Sequence, residues 1–231
     1  FAGDSATIRE LRIATGEGRL VIDKNLQLAA AVGASGGSRE FPITSPASAV
    51  VDAIVREVGD HFAVLNVGAA WPNKRWPAVR FGHVATWVKR AHGLRSVVTW
   101  GPGEEPLAAE AVRASDGAAH VAPSTSIRDL VALFRRARLL VSGDTGPTHI
   151  AAAVGTPIVS LFGPTSPVRN GPWDEADEVL SRYDVCACHY RRTCRHGSGA
   201  AWCLGQIDQA AVEQAIARRL GHVGRHVGRR P

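Results

Sequence analysis

The sequence lacks several features that would assign a protein to a class at once. Its 231 residues contain no Met, so we expect the chain to be a piece of a longer protein whose front is missing. No apolar stretch reaches the roughly 20 residues that a bilayer span requires. The Gly residues are not periodic, which excludes a collagen-like chain. The remaining composition, 45% apolar and 21% charged, is that of a globular protein.

Three common ligand-binding motifs are also missing. The sequence contains no G-x-x-x-x-G-K-[ST], no G-x-G-x-x-G and no H-E-x-x-H, so it offers no P-loop, no dinucleotide fingerprint and no zinc-protease helix. The letters GASGG at 33–37 match the nucleophile-elbow pattern. Because they follow a predicted helix instead of a strand, the strained turn of such an elbow cannot form there.

The positive charge is concentrated at the C-terminus. The net charge is +6, but no acidic residue follows Glu213, and the rest of the chain is nearly neutral. The arginines of this tail are Arg218, Arg219, Arg225, Arg229 and Arg230. A nucleic-acid binder would carry a basic face with interleaved aromatic residues, so we expect no nucleic-acid partner. We interpret the tail as a solvated chain end, with contact to an anionic membrane surface as the alternative.

Short apolar runs alternate with amphipathic stretches from residue 62 onward. The pattern predicts strands at 62–67, 96–100, 118–121, 139–142 and 158–162. It predicts helices between them at 78–91, 104–114, 127–137 and 147–154. Strands and helices of this length in alternation indicate right-handed βαβ units. We therefore expect an α/β fold with a Rossmann-like parallel sheet of five strands.

The segments outside this repeat suggest a division of the chain. Helices are expected at 20–32, 47–58 and 209–220, and residues 33–46 are rich in Gly, Ser and Pro, as linkers are. We predict that residues 1–45 are the end of a preceding domain and a linker. Residues 46–208 are the expected Rossmann-like domain, and residues 209–231 a C-terminal helix and basic tail.

Three loops that follow predicted strands carry candidate ligand-binding residues, since ligands of open α/β sheets bind beyond the strands' carboxyl ends. After the fourth strand comes SGDTGPTHIAAAVGTP, with Gly146 as the expected helix cap and Pro147 as the first helical residue. The backbone amides of this helix start suit a phosphate, although an ordinary capped helix would show the same letters.

The other two loops add charged side chains. After the first strand, GAAWPNKRWP presents Lys74 and Arg75 in a loop stiffened by Trp and Pro, and a lysine ammonium suits a diphosphate. After the second strand, WGPGEEP presents Glu104 and Glu105, of which one could accept ribose hydroxyls. Both acids are equally suited to the first turn of a helix without any ligand.

Four cysteines lie within 18 residues, at Cys186, Cys188, Cys194 and Cys203. Their first pair is C-x-C, whereas structural zinc sites favour C-x₂₋₄-C. Disulfides would need an oxidising compartment. Reduced thiols and a small structural metal site therefore both remain open for this segment.

Together the three loop sequences resemble the C-terminal half of family 9 glycosyltransferases, the ADP-heptose:lipopolysaccharide heptosyltransferase family. The resemblance covers residues 20–207, and LVIDKNLQLAAAVGA resembles the end of the family's N-terminal domain. It implies a GT-B architecture, in which two Rossmann-like domains face each other. It also implies an inverting transfer of a heptose-type sugar from an ADP-sugar to a lipid-linked lipopolysaccharide core, without metal or other cofactor.

The resemblance also assigns roles to residues of this chain. It implies that Lys74 contacts the donor diphosphate, Glu105 the ribose and Asp144 the sugar hydroxyls. Thr145 and Gly146 would hold the phosphate through their amides, and His149 would orient that turn. The family's general base lies in the N-terminal domain, so no catalytic residue is assigned here and the chain alone should be inactive. We expect a cytoplasmic protein, and a peripheral contact with the inner face of the inner membrane is a further expectation. A non-catalytic nucleotide- or phosphate-binding module is the alternative.

Overall fold

The computed structural model describes residues 20–35, 37–196 and 202–226, with only the backbone described at 222–226. Its strands are β1 Phe62–Asn66, β2 Arg95–Thr99, β3 Ala119–Val121, β4 Leu139–Gly143, β5 Ile158–Phe162 and β6 Glu178–Ser181. Its helices are α1 Val21–Ala31, α2 Ala49–Val58, α3 Ala78–His92, α4 Glu105–Arg113, α5 Ile127–Arg136, α6 Gly146–Ala153, α7 Pro167–Asn170, α8 Trp202–Gly205 and α9 Gln209–His226. A 3₁₀ turn covers Pro72–Lys74.

The strands form one parallel sheet in the order β3-β2-β1-β4-β5-β6. This is the Rossmann order, in which the connections reverse direction between β1 and β4. The expected α/β class is confirmed, and the five predicted strands are present, but the sheet has a sixth. The sequence pattern missed β6 because it is a four-residue edge strand whose residues are only partly buried.

Alternate residues of each strand enter two separate apolar cores, as the pleat of a strand requires. On one side, Ala63, Leu65 and Val141 pack under α3, α4 and α9. On the other side, Val64 and Leu140 pack under α2, α5 and α6. Both faces of the sheet are therefore covered by helices, and its strands read as continuous apolar runs for that reason.

The predicted helix ends agree with the structure to within two residues, except that α9 continues to His226, beyond the end predicted at residue 220. Ser126 caps α5 in a reciprocal capping box with Asp129, and α6 ends just before Gly155, whose φ of +75° a glycine adopts readily. The prediction for the start of α6 was wrong by one residue. Thr145, in extended backbone, is the N-cap, while Gly146 and Pro147 are the first two helical residues.

The proposed division of the chain stays a prediction, although two contacts bear on how its parts are held. The described residues between α1 and α2, 32–35 and 37–48, contain no helix or strand, and the Phe41 ring stacks on Trp173 of the sheet domain at 4.9 Å. The last helix, α9, buries Val212, Ala215 and Ile216 in the same core as the sheet. Residues 1–19, where the predicted N-terminal remnant begins, lie outside the described residues.

Two of the five tail arginines are held in ion pairs with the sheet domain. Arg219 is buried, and its guanidinium contacts Asp177 at 2.8 Å and Asp174 at 3.3 Å. Arg218 contacts Glu178 at 2.9 Å on the surface. Our interpretation of the tail as a solvated end was therefore wrong for these two residues, because each faces a carboxylate at the β6 edge.

We expect Arg219→Met to lower the free energy of unfolding by about 3 kcal/mol at pH 8, because it leaves the Asp177 carboxylate buried without its cation. Burial already raises the pKa of Asp177 to about 6, against the opposing bonds from Arg219 and Ile158. A raised pKa means that the folded state binds the proton of Asp177 more tightly than the unfolded state does. The contribution of Asp177 to the free energy of unfolding is therefore lost as pH rises through 6. The cost should therefore shrink at pH 5.

Urea unfolding of both arginine variants at the two pH values measures this. The matched control is Arg218→Met, which breaks an exposed pair and should cost less than about 1 kcal/mol at either pH. Equal losses for the two variants would contradict the buried pair's contribution to stability.

Candidate functional site

An open cleft of about 840 Å³ lies at the point where the strand order reverses, between β1 and β4. Its walls are the loops that follow β1, β2 and β4, together with the start of α5. This is where ligands of Rossmann-like sheets bind, because the loops on either side of the reversal diverge there. The cleft thus unites the three loops that the sequence singled out.

Polar side chains at the ends of three neighbouring strands form the floor of the cleft. Asn66 pairs in register with Thr99 of β2 and with Ser142 of β4. Its amide nitrogen lies 3.2 Å from the Ser142 hydroxyl and 3.3 Å from that of Thr145, while its amide oxygen accepts a hydrogen bond from Thr99 at 3.2 Å. Because Asn66 is buried, these bonds fix both its orientation and the ends of the three strands.

The start of α6 faces the cleft with its backbone amides. Within the described residues, no side chain caps this helix, and the hydroxyl of the N-cap residue Thr145 instead joins the strand-end network. Thr148 is buried one turn along and donates to the Gly143 carbonyl at 2.6 Å. The first N–H groups of a helix have no acceptor inside it, so those of Thr145 and Gly146 are available to an anion.

Lys74 and Asp144 meet directly across the cleft. The Lys74 ammonium lies 2.7 Å from Asp144 Oδ2 and 4.5 Å from the centre of the Trp71 ring. The backbone at Lys74 lies so close to Gly143 that a Cβ on Gly143 would be 2.9 Å from the Lys74 carbonyl oxygen. The 3₁₀ turn at Pro72–Lys74 therefore packs against the end of β4, and this contact sets the position of the lysine.

Asp144 is a buried carboxylate with three partners on one oxygen. Oδ2 accepts hydrogen bonds from Thr165 at 2.6 Å and Asn170 at 3.1 Å, in addition to the one from Lys74. Burial by itself would raise the pKa of Asp144, but the neighbouring His149, Lys74 and Thr165 side chains outweigh burial and hold the pKa well below its ordinary value. Asp144 is thus ionised at neutral pH. Its other oxygen, Oδ1, lies 3.7 Å from His149 Nε2.

The structure differs from the sequence expectation at the two glutamates. Glu105, the residue expected to contact ribose, is exposed at the first position of α4 and does not line the cleft. Glu104 lines it instead, buried, and binds the Gly101 N–H at 2.9 Å and the Arg75 guanidinium at 3.0 Å. The ribose contact of Glu105 stays a prediction. Adjacent residues at a helix start point in different directions, and sequence spacing alone does not reveal which of the two acids faces the cleft.

The cleft has an apolar end formed by residues that the sequence analysis did not select. Trp100 lines it and is held by a 2.8 Å bond from its indole N–H to the Ala122 carbonyl. Ile127, at the start of α5, also lines the cleft, with 71% of its surface exposed. A fixed indole and an exposed aliphatic side chain in one cleft offer apolar surface for a flat ring.

The four cysteines come together at the same edge of the sheet. Cys186, Cys188 and Cys203 are buried, and Cys194 packs against them with a free thiol like the others. Burial raises the pKa of the Cys203 thiol to about 12, whereas backbone N–H groups of His196 and Trp202 overcome burial and lower the pKa of Cys194. Across the described part of the chain, no cluster of His, Cys, Asp or Glu has an arrangement that could hold a metal ion.

Five of the six predicted site residues line the cleft, namely Lys74, Asp144, Thr145, Gly146 and His149. The structure thus combines a Rossmann-ordered sheet, a helix start at its switch point and a lysine opposite, which places the chain in the Rossmann-like α/β class. The profile of glycosyltransferase family 9 (heptosyltransferase) matches residues 5–198. The chain belongs to this family, and the resemblance noted in the sequence is confirmed.

Individual relatives agree with the family. The chain is 31% identical over 139 residues to lipopolysaccharide heptosyltransferase 1 of Pseudomonas aeruginosa, covering 60% of this chain and 39% of that protein. The solved family 9 glycosyltransferase of Veillonella parvula has a TM-score of 0.72 at 25% identity, over 89% of this chain and 61% of its own. The E. coli heptosyltransferase WaaC, solved with ADP, has a TM-score of 0.59 at 22% identity, over 85% and 55%.

This chain spans less than two thirds of the length of each of these relatives. The likeness to the E. coli structure concerns the fold, which is the GT-B fold of the heptosyltransferases. Among the described helices, none has both the length and the apolarity of a membrane span.

We expect Gly68→Ala to destabilise the protein by about 1–3 kcal/mol, as insertion of a methyl group into filled space does. A Cβ at Gly68 would stand 1.7 Å from Glu104 Oε2, so the carboxylate would have to leave Gly101 and Arg75. The control is Gly205→Ala, whose Cβ would meet no atom within 4 Å. Urea unfolding midpoints compare the two, and an unchanged midpoint for Gly68→Ala would show that Glu104 is not fixed in place.

Proposed function

We propose that this chain is the donor-binding half of a glycosyltransferase. The enzyme would transfer a heptose-type sugar from an ADP-sugar to a lipid-linked lipopolysaccharide core, with inversion and without a metal. The observation that carries the proposal is the Lys74 ammonium, 2.7 Å from Asp144 at the uncapped start of α6. Relatives named as lipopolysaccharide heptosyltransferases, and a fold neighbour solved with ADP, support the choice of donor and acceptor.

The two ends of the cleft suit the two ends of such a donor. The base would lie on the apolar wall at Trp100 and Ile127, where an indole and an aliphatic side chain face open space. The diphosphate would reach the amides of Thr145 and Gly146, where the helix dipole favours negative charge. Glu104 also lines the cleft, whereas Glu105 does not, so we assign the ribose contact to Glu104 in place of Glu105.

The chemistry that this arrangement assists is departure of the nucleoside diphosphate. When the bond from sugar to phosphate breaks, negative charge grows on the phosphate oxygens. Lys74 and the helix amides are already in place to stabilise that charge, so little reorganisation is needed as it develops. This is the task that a divalent cation performs in other transferases.

Asp144 would bind the sugar that is transferred. Its Oδ2 is occupied by Lys74, Thr165 and Asn170, whereas the partner found for Oδ1 among the described residues is His149 Nε2, at 3.7 Å. A carboxylate oxygen accepts more than one hydrogen bond, so Oδ1 can accept from a sugar hydroxyl. His149 would orient this oxygen, in addition to orienting the turn at the start of α6, which is the role that the family resemblance implies.

Several parts of the proposal concern the remainder of the enzyme. We assign the general base and most of the acceptor site to the domain that faces this one in a GT-B enzyme. We also assign the protein to the cytoplasm, with peripheral contact at an anionic membrane surface as a further prediction. The rival function is a non-catalytic nucleotide-binding module, since a fold alone does not fix an activity.

We expect ADP to protect the 231-residue chain against thermal unfolding, and Lys74→Ala to remove most of that protection. One bond to a charged phosphate contributes about 1.5–3 kcal/mol, so the affinity for ADP should fall roughly tenfold or more. The control is Lys89→Ala on the exposed surface of α3, which removes the same charge away from the cleft. Scanning calorimetry with and without ADP measures both variants.

Equal protection of the Lys74→Ala and Lys89→Ala proteins would contradict the donor site. The transferase and the binding module are separated by a second experiment. Full-length protein should transfer heptose from ADP-heptose to a lipopolysaccharide core acceptor, and Lys74→Ala should reduce that rate. ADP binding without any transfer by the full-length protein would favour the binding module.

A further inference from the structure

The cysteine-bearing segment, residues 183–196, packs against the loop after β1, which lines the cleft, and against the loop after β5. We name it the cysteine loop. Asn73, in the loop after β1, donates its side-chain N–H to the Arg191 carbonyl at 2.7 Å. The Tyr190 N–H donates to the Pro164 carbonyl, in the loop after β5, at 2.8 Å. The cysteine loop therefore sits at the same sheet edge as Lys74 and Asp144.

The thiols hold the shape of the cysteine loop through backbone contacts. The Arg195 N–H donates to Cys188 Sγ at 3.0 Å, and the Cys188 N–H to Cys186 Sγ at 3.4 Å. The Arg191 N–H closes a turn onto the Cys188 carbonyl at 3.0 Å. These bonds surround residue 192 on both sides in the chain, so they fix where its side chain starts.

Arg192 extends from the cysteine loop to the cleft wall. Its guanidinium carbon lies 5.7 Å from the centre of the Trp71 ring, which is the ring that the Lys74 ammonium contacts at 4.5 Å. Trp71 lines the cleft, so both cations lie near one aromatic ring in the cleft wall. Within the described residues, Arg192 has no carboxylate partner, unlike Arg75, whose guanidinium is paired with Glu104.

The charges in the cleft leave room for a second cation. Lys74 is paired with the ionised Asp144, so the two together contribute almost no net charge. A nucleoside diphosphate carries more than one negative charge, and the helix start provides only partial charges. A guanidinium suits the missing role because it stacks on an aromatic ring and also binds phosphate oxygens through two parallel N–H groups.

We propose that Arg192 is a second diphosphate-binding cation of this cleft, which rests on Trp71 in the free protein and contacts a phosphate oxygen of the bound nucleotide. The four-cysteine cluster and Asn73 then act as positioning residues for Arg192. This inference rests on the proposed function, because it takes the nucleotide diphosphate as the ligand. It adds a residue from outside the three loops that form the cleft.

The test is calorimetric titration of the 231-residue chain with ADP, AMP and adenosine. We expect Arg192→Gln to weaken ADP binding about tenfold, AMP binding less and adenosine binding not at all, because only the diphosphate reaches the guanidinium. The matched control is Arg195→Gln, which removes the same charge from the same exposed loop and should change ADP affinity less than about twofold. Melting temperatures show that each variant is folded.

A second variant tests the positioning role. Asn73→Ala breaks the bond to the Arg191 carbonyl and should weaken ADP binding in the wild-type background but not in the Arg192→Gln background, since coupled residues are not additive. Additive losses would show that Asn73 does not act through Arg192.

The outcomes separate this inference from the proposed function. ADP binding that depends on Lys74 but is equal in Arg192→Gln and Arg195→Gln would overturn the role of Arg192 alone. Failure of the wild-type chain to bind ADP, or ADP binding that Lys74→Ala leaves unchanged, would overturn the proposed function and the role of Arg192 with it.

Discussion

The ion pair between Lys74 and Asp144 links the two loops that diverge at the switch point of the sheet. Lys74 lies in the loop after β1 and Asp144 directly follows β4, and their side chains are 2.7 Å apart. A buried pair is costly to form unless further bonds satisfy its atoms. Thr165 and Asn170, in the loop and short helix that follow β5, supply those bonds to Asp144. The loops of three strands are therefore held in one arrangement by a single carboxylate.

The polar floor beneath this pair explains how the arrangement is kept without a ligand. Asn66, Thr99 and Ser142 occupy the same level of three paired strands and bond to one another. An apolar side chain in place of Thr99 would remove the hydrogen bond that the buried Asn66 amide oxygen accepts. The network thus fixes the strand ends, and the strand ends fix the helix amides and the lysine that face the cleft.

Much of the fold could be predicted from the sequence because both faces of the sheet are covered. Buried parallel strands are short continuous apolar runs, and the four central strands and the edge strand β3 were recognisable from such runs. The edge strand β6 is half exposed and has no such run. In the site, Lys74 and Asp144 stand out because Gly and Pro surround them. Glu104 and Glu105 could not be told apart, and Asn66 was missed, although a polar residue ending each apolar run was a usable signal.

The balance of charge in the cleft follows from these same constraints. Asp144 must be ionised to hold Lys74, and an ionised Asp144 cancels most of the attraction that Lys74 has for an anion. A site that uses its carboxylate both to position the lysine and to accept a sugar hydroxyl must therefore draw on other donors for the phosphates. The uncapped start of α6 provides partial charges from the sheet domain itself. The cysteine loop lies beside the cleft and is hydrogen-bonded to the β1 and β5 loops at Asn73 and Pro164. It carries Arg192, which has no carboxylate partner among the described residues.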